Sequence, residues 1–284
     1  MKKVLSFDIG GTNTRLALIN EKFEVEKELI NPTPTNDKEK FMENVLSMIE
    51  QFDLKDVVAV GAGVPGVVDR ETKVILDLPN VGIKDIDFGD KIKEKFNLPV
   101  FLRNDAEVAC LGEAYLGAGK DYSRVFFITI STGLGGAMCV DCEFQDYITE
   151  IGHTLFLYKN RLEEYSIISG ILVKHLAELN GVKIENARDL FARYEAGEEG
   201  AKKVYKEWIE IFNKFIHLVS DSYSPDIIVM TGGLMKQKQV FFNTLVELNP
   251  NVLIKECEYS EKAGLMGSAC FAFKEMKIIW FHLN

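Results

Sequence analysis

The chain lacks any excess of basic charge. Lysine and arginine number 33 against 43 aspartates and glutamates, a formal charge of −10 over 284 residues. A general nucleic-acid binder needs a basic face, so none is expected as a partner. An anionic substrate remains admissible, because a metal ion can supply local positive charge. Long apolar runs are also missing. No stretch reaches the roughly 18–20 apolar residues that span a bilayer, so no membrane partner is expected. Asp8 interrupts the opening Met1-Lys2-Lys3-Val4-Leu5 too soon for a signal peptide. The expected location is cytoplasmic. Cysteines are only five, widely spread, which suits a reducing compartment. Cys139 and Cys142 have CxxC spacing, but no second Cys or His pair follows at a zinc-site distance. Strand alternation would also put those two thiols on opposite faces.

What is present is an ordinary globular composition, 47% hydrophobic and 27% charged, long enough for one large domain or two of common size. Strand signals fall at residues 3–8, 14–20 and 23–30, and a helix is expected over 37–52 from the spacing of Phe41, Val45, Leu46, Ile49 and Phe52. A buried strand follows at 56–64, a helix at 87–97 and a strand at 98–102. This is an α/β order. Later come strands at 124–130 and 227–230, helices at 171–180, 186–194 and 236–248, and a long helix at 201–223 carrying the stripe Val204, Trp208, Ile211, Phe212, Phe215, Ile216 and Val219. The apolar tail, Ile278 to Leu283, is expected to dock on the body or on a second subunit.

The glycine-rich turns carry the chemistry. Asp8-Ile9-Gly10-Gly11-Thr12-Asn13-Thr14 joins two strands. Its backbone N–H groups and the Thr12 and Thr14 hydroxyls can hold phosphate oxygens, and Asp8 can act on a metal or its bound water. The alternative is a plain hairpin. Ser131-Thr132-Gly133-Leu134-Gly135-Gly136 repeats this grammar, which suggests two similar halves facing each other across a cleft. A third turn, Thr231-Gly232-Gly233, offers bare backbone to a flat ring. Gly63-Val64-Pro65-Gly66 ends one strand, Asn80 lies in a loop, and Asn104-Asp105 ends another strand just before a helix. Ligands of open α/β sheets bind beyond such strand ends, although an Asp there also serves as a helix N-cap. Glu150 and His153 share a turn with Gly152.

Laid out together, these motifs resemble the ROK family of sugar kinases from about residue 4 to residue 274, and more broadly the actin/hexokinase/Hsp70 superfold. The resemblance implies a two-lobed α/β, actin-like ATPase (ribonuclease H-like) fold with a cleft between the lobes. Residues 1–108 with a C-terminal helix over 268–284 would form the small lobe, and 109–267 the large one. It implies transfer of a phosphoryl group from ATP, with Mg²⁺, to a hexose hydroxyl, as in glucokinases. The alternatives are an N-acetylmannosamine or other amino-sugar kinase, and a non-catalytic sugar-sensing relative. Asp105 is then the catalytic base, and Asp8 holds Mg²⁺, directly or through water. Gly10, Gly11, Thr12, Asn13, Thr132, Gly133, Gly232 and Gly233 bind the nucleotide. Gly66, Asn80, Asn104, Asp105, Glu150, His153 and Glu164 contact the sugar, and a homodimer is implied. The chain departs from the family in having no cysteine in 154–169, so no structural zinc is expected there and His153 is left to the sugar. The family's next sugar-side Glu aligns near Tyr165, flanked by Glu163 and Glu164, of which Glu164 is favoured.

Overall fold

The computed structural model describes residues 1–145 and 150–279. They divide into two units. The first holds Met1–Lys120, Asp141–Glu143 and the described chain from Glu261 onward; the second holds Asp121–Val140 and Phe144–Ser260.

The first unit opens with β1 (Lys3–Ile9), β2 (Asn13–Asn20) and β3 (Val25–Pro32). Helix α1 (Lys38–Ile49) starts at Asp37, whose carboxylate accepts the Lys40 N–H at 3.0 Å. Then come β4 (Val57–Val64), β5 (Val67–Val68), β6 (Ile75–Leu78), β7 (Ile83–Ile86), α2 (Phe88–Phe96), β8 (Val100–Asn104) and α3 (Asp105–Tyr115). The main sheet has the order β3-β2-β1-β4-β8, with β1 antiparallel to β2 and parallel to β4, and β4 parallel to β8. Along β1 the alternation is clean. Leu5, Phe7 and Ile9 enter a core shared with Phe41, Val45 and Met48 of α1. Val4, Ser6 and Asp8 therefore point to the opposite face.

The second unit repeats the plan. It runs β9 (Arg124–Ile130), β10 (Leu134–Val140), the two-residue β11 (Glu143–Phe144, of which Phe144 belongs to this unit), β12 (Leu155–Tyr158), β13 (Arg161–Glu164), α4 (Val173–Leu179), α5 (Ala187–Glu195), α6 (Glu199–Tyr223), β14 (Ile227–Thr231), α7 (Phe242–Leu248) and β15 (Ile254–Glu256). The sheet order is β11-β10-β9-β14-β15. Here β9 is antiparallel to β10 and parallel to β14, which is parallel to β15, as β1 is to β2 and β4, and β4 to β8, in the first sheet. The expected stripe of α6 is wholly buried from Val204 to Val219. Each such large side chain contributes about 1.5–3 kcal/mol by leaving water.

Three features differ from the expectations. β5, β6 and β7 form a small three-stranded sheet, and β12 and β13 pair as a hairpin; neither was expected. The helix expected over 236–248 is a 3₁₀ segment, Gly233–Val240, then α7, with non-helical backbone at Gln237. Strand β10 stops at Val140, so Cys142 lies in the following turn, not on the strand.

The last described helix, α8 (Ala263–Glu275), belongs to the first unit. It begins earlier than the expected 268 and stops at Glu275; residues 280–283 of the expected docking tail lie outside the described residues. The observed division falls at 120/121 and 260/261 because α3 and α8 each stay whole and pack together on the first sheet. Ser6 Oγ donates to the Leu265 carbonyl at 2.6 Å, and Ser268 Oγ to the Phe7 carbonyl at 3.0 Å. Gly112 and Gly267 let α3 and α8 touch backbone to backbone. Among the described residues no helix is long and apolar enough to cross a membrane.

A Cβ on Gly267 would fall on the Val108 carbonyl group. Gly267→Ala is expected to cost about 3 kcal/mol, the upper range for an overpacked core. A shifted urea midpoint at unchanged slope checks it; an unmoved midpoint refutes the close seat.

Candidate functional site

In the first unit, β1, β4 and β8 run parallel and end side by side, with Asp8 opposite Gly63 and Val64 opposite Asn104. The β1–β2 turn follows at once, closed by Gly10 N–H to the Asn13 carbonyl at 2.9 Å. Thr12 and Asn13 are exposed. Thr14 is not: it is fully buried, with its hydroxyl 3.0 Å from that of Thr33, which donates to the Gly10 carbonyl. Thr14 thus braces the turn from behind and is not presented to a phosphate. The loop between β6 and β7 brings Asn80 against the same turn, since a Cβ on Gly11 would lie 3.1 Å from that of Asn80. Gly66 sits under the same loop, where a Cβ would strike the Asp77 carbonyl.

The β8–α3 junction resolves the question of the cap. Asn104, not Asp105, is the N-cap: its side-chain oxygen accepts the Ala106 N–H at 2.9 Å. Its amide nitrogen donates to the Gly66 carbonyl at 3.2 Å. Glu107 completes a capping box by accepting the Asn104 N–H at 3.3 Å. Asp105 is then the first residue of α3 and also accepts the Ala106 N–H, at 2.8 Å. Asn104 spends both ends of its amide within the protein.

Asp8 is half-buried beside α8, where a Cβ on Gly264 would lie 2.7 Å from its carboxyl carbon. Burial pushes the Asp8 carboxyl up to about 7; the negative charge of Asp105 acts in the same direction and Arg15 partly offsets both.

In the second unit the turn after β9 is closed by Ser131 N–H to the Gly133 carbonyl, 2.9 Å. It is held from behind by Gly170 N–H on the Ser131 carbonyl, 2.7 Å, and Ser169 Oγ on the Thr132 carbonyl, 2.9 Å. Thr132 and Gly133 stay exposed. Gly232, with φ of 105°, crosses the end of β9, where a Cβ would meet the Ile130 carbonyl. A cavity of about 340 Å³ opens here, lined by Thr132, Ile171, Asn186, Arg188, Gly233 and Gln237 among others. The sequence motifs include none of Ile171, Asn186, Arg188 and Gln237. Only Asn186 has a sequence signal, as the N-cap of α5 accepting the Asp189 N–H at 3.1 Å.

Glu150 is exposed and precedes the 3₁₀ turn Ile151–His153. His153 Nδ1 lies 2.9 Å from Glu164 Oε2, which also accepts the Ser166 hydroxyl at 3.1 Å. Glu163 turns the other way, onto His175 Nε2 at 3.0 Å. The hairpin enforces this: facing residues are Leu155 with Glu164 and Phe156 with Glu163.

The chain matches the ROK family over residues 4–274. It belongs to the ROK family. Among its relatives, a glucokinase from Streptomyces coelicolor is 32% identical, with 96% of this chain and 98% of that one covered. A xylose repressor from Caldicellulosiruptor bescii is 22% identical, covering 96% and 78%. A ROK hexokinase from Thermus thermophilus has the same fold, with a TM-score of 0.84, 24% identity and coverage of 97% and 99%. A ROK glucokinase from Streptomyces griseus, in complex with glucose and AMPPNP, has a TM-score of 0.73, 21% identity and coverage of 96% and 99%. The family holds both kinases and repressors, so membership leaves the choice between them to the site.

The state of Asp8 in this ROK protein makes stability depend on pH. Its folded carboxyl titrates near 7 and an unfolded one near ~4. Its contribution is therefore full below the unfolded value and is lost as pH rises through about 7. Without nucleotide or divalent cation, the Tm of the wild type relative to Asp8→Asn is expected to fall between pH 5.5 and 8.5. Parallel Tm profiles for the two proteins would exclude the shift.

Proposed function

We propose that this protein transfers the γ-phosphoryl group of ATP to a hydroxyl of a hexose, with glucokinase-type activity. The observation that carries the reading is the pair of carboxylates at the ends of parallel strands, Asp8 and Asp105, set beside the glycine turn of residues 10–13. The relatives support it: kinases for glucose and for N-acetyl-D-glucosamine stand at 32% and 26% identity.

Asp105 would accept the proton of the attacking hydroxyl. Phosphoryl transfer depends mainly on position and charge stabilisation, so the remaining residues would serve to aim and hold. Thr12 and Thr132, with the N–H groups of Gly11 and Gly133, would hold phosphates, Gly10 would let them approach the turn closely, and Gly232 and Gly233 would lie under the adenosine. Asn80, Glu150 and His153 would read sugar hydroxyls. If Nδ1 of His153 donates to Glu164, its other ring nitrogen is an acceptor for a hydroxyl. Asn104 would act from behind, through Gly66.

The residues fit Mg²⁺. This ion keeps its waters and is commonly held by one or two carboxylates together with substrate phosphates. Asp8 is one such carboxylate, in a place that favours an added positive charge. Among the described residues no group of three or more His, Cys, Asp or Glu side chains is arranged as a metal cage. When bound with ATP, the ion supplies charge to the phosphates; Asp8 would orient it directly or through water.

A non-catalytic sensor would be expected to have lost the base or a phosphate turn, and Asp8, Asp105 and Thr132 are all present. An amino-sugar kinase would use the same chemistry on a different acceptor. Incubation with ATP, Mg²⁺ and a panel of hexoses and N-acetylhexosamines, followed by ADP release, separates these readings. Sugar-dependent release is expected; release without sugar marks an ATPase, and no release a sensor. Asp105→Asn should retain sugar binding by calorimetry and lose about 10²–10⁴ in turnover. Turnover at the wild-type rate would remove Asp105 as the base.

A further inference from the structure

The loop between β5 and β6 is joined to the start of α3 by a charge pair that none of the sequence motifs contains. Arg70 Nη2 donates to Glu107 Oε1 at 2.8 Å, and the side chains are 30% and 11% exposed. The second oxygen of Glu107 accepts the backbone N–H of Asn104 at 3.3 Å. Asn104 in turn donates to the Gly66 carbonyl at 3.2 Å. A closed circuit results: Gly66 to Asn104, Asn104 to Glu107, Glu107 to Arg70, and Arg70 back along the chain to Gly66.

Arg70 is aimed by its own turn. Asp69 N–H donates to the Val74 carbonyl at 2.9 Å, and Lys73 N–H to the Asp69 carbonyl at 3.0 Å. The Asp69 carboxylate accepts the N–H groups of Glu71 and Thr72 at 2.8 and 2.9 Å. The Lys73 ammonium donates to the Arg70 carbonyl, and Gly89 N–H to the Lys73 carbonyl at 3.1 Å. The turn is thus rigid in itself and anchored to α2. The loop is joined to the start of α3 by the Asn104–Gly66 bond and by the Arg70 guanidinium on the Glu107 carboxylate. Such a charge-assisted hydrogen bond is strong, and breaking one partner leaves the other poorly solvated.

The geometry points to Arg70 and Glu107 as positioning residues that latch the Gly66 loop to the start of α3 and so set the sugar side of the site. This rests on the reading of the protein as a sugar kinase. Helix α3 is held independently by its contact with α8, so Asp105 keeps its place when the latch opens. What is released is the loop carrying Gly66.

Steady-state kinetics of Arg70→Met, Glu107→Gln, the double variant and Arg70→Lys test the latch. A loop that only helps bind the sugar acts equally on ground and transition states, so its release shows in KM and not in kcat. Arg70→Met and Glu107→Gln should therefore raise the sugar KM on the order of 10- to 100-fold, the range for a lost hydrogen bond between charged groups, with the ATP KM and kcat little changed. The double variant should be no worse than the worse single one, because both break one interaction. Arg70→Lys should recover part of the loss. A merely structural pair would lower the active fraction and leave the sugar KM where it was, which overturns the proposal. Amide hydrogen exchange at residues 66–70, measured without ligands, gives a readout that needs no activity. Faster exchange in Arg70→Met supports the latch and unchanged exchange overturns it. If the wild type releases no ADP with any sugar, the kinase reading fails, and the exchange result alone decides whether the latch exists.

Discussion

The seat of α8 on the first sheet is the contact on which the first unit depends. The helix comes from the end of the chain and lies against its first strand, close enough for Ser6 and Ser268 to bond across to opposing backbone carbonyls. Only small residues permit this. Cβ atoms at Gly61 or Gly267 would fall on the carbonyls of Ser268 or Val108. Period-two alternation then leaves no choice about Asp8: if Leu5, Phe7 and Ile9 fill the core, Val4, Ser6 and Asp8 must face the helix. The same seat holds α3, and with it Asp105. Packing, then, is what brings two carboxylates near enough for one to raise the pKa of the other.

The turns of the second unit are stabilised in a different way. The first unit braces its glycine turn with a buried pair of threonines, Thr14 and Thr33. The second braces Ser131–Gly133 with Ser169 and Gly170, which follow the β12–β13 hairpin. That hairpin also fixes the spacing of His153 and Glu164. One short element therefore supports two groups of candidate residues, and its own support comes from Lys159 and Asn180 on Glu207 of α6.

Much of this was legible in the residues. The main strands and α6 follow from hydrophobic period, and the repeated strand–turn–strand grammar corresponds to the repeated sheet order. The elements that escaped are short and lack strong signals. β6 and β7 have four residues each, too few for a clear alternation. The β12–β13 turn places Lys159 and Asn160 at positive φ, where Gly would have announced it. Thr14 reads like Thr12 in sequence, and only the register of β2 sends one inward and the other to solvent. Glu163 and Glu164 are equally indistinct until the hairpin assigns them to opposite faces. Asn104 and Asp105 compete for one cap, and side-chain geometry decides it for Asn104.

That last competition bears on how the proposed chemistry is divided. A cap needs its side chain turned back onto the helix N–H groups, whereas a base must meet an incoming hydroxyl. Placing both duties on one residue would set them against each other. Here the cap is one residue earlier, and Asn104 also ties in Gly66. Asp105 can then stand at the helix start without having to create it. On the kinase reading, the adjacent pair separates support from chemistry. Asn104 builds the junction, Glu107 and Arg70 hold the neighbouring loop to it, and Asp105 is carried on a helix whose position is already set by α8.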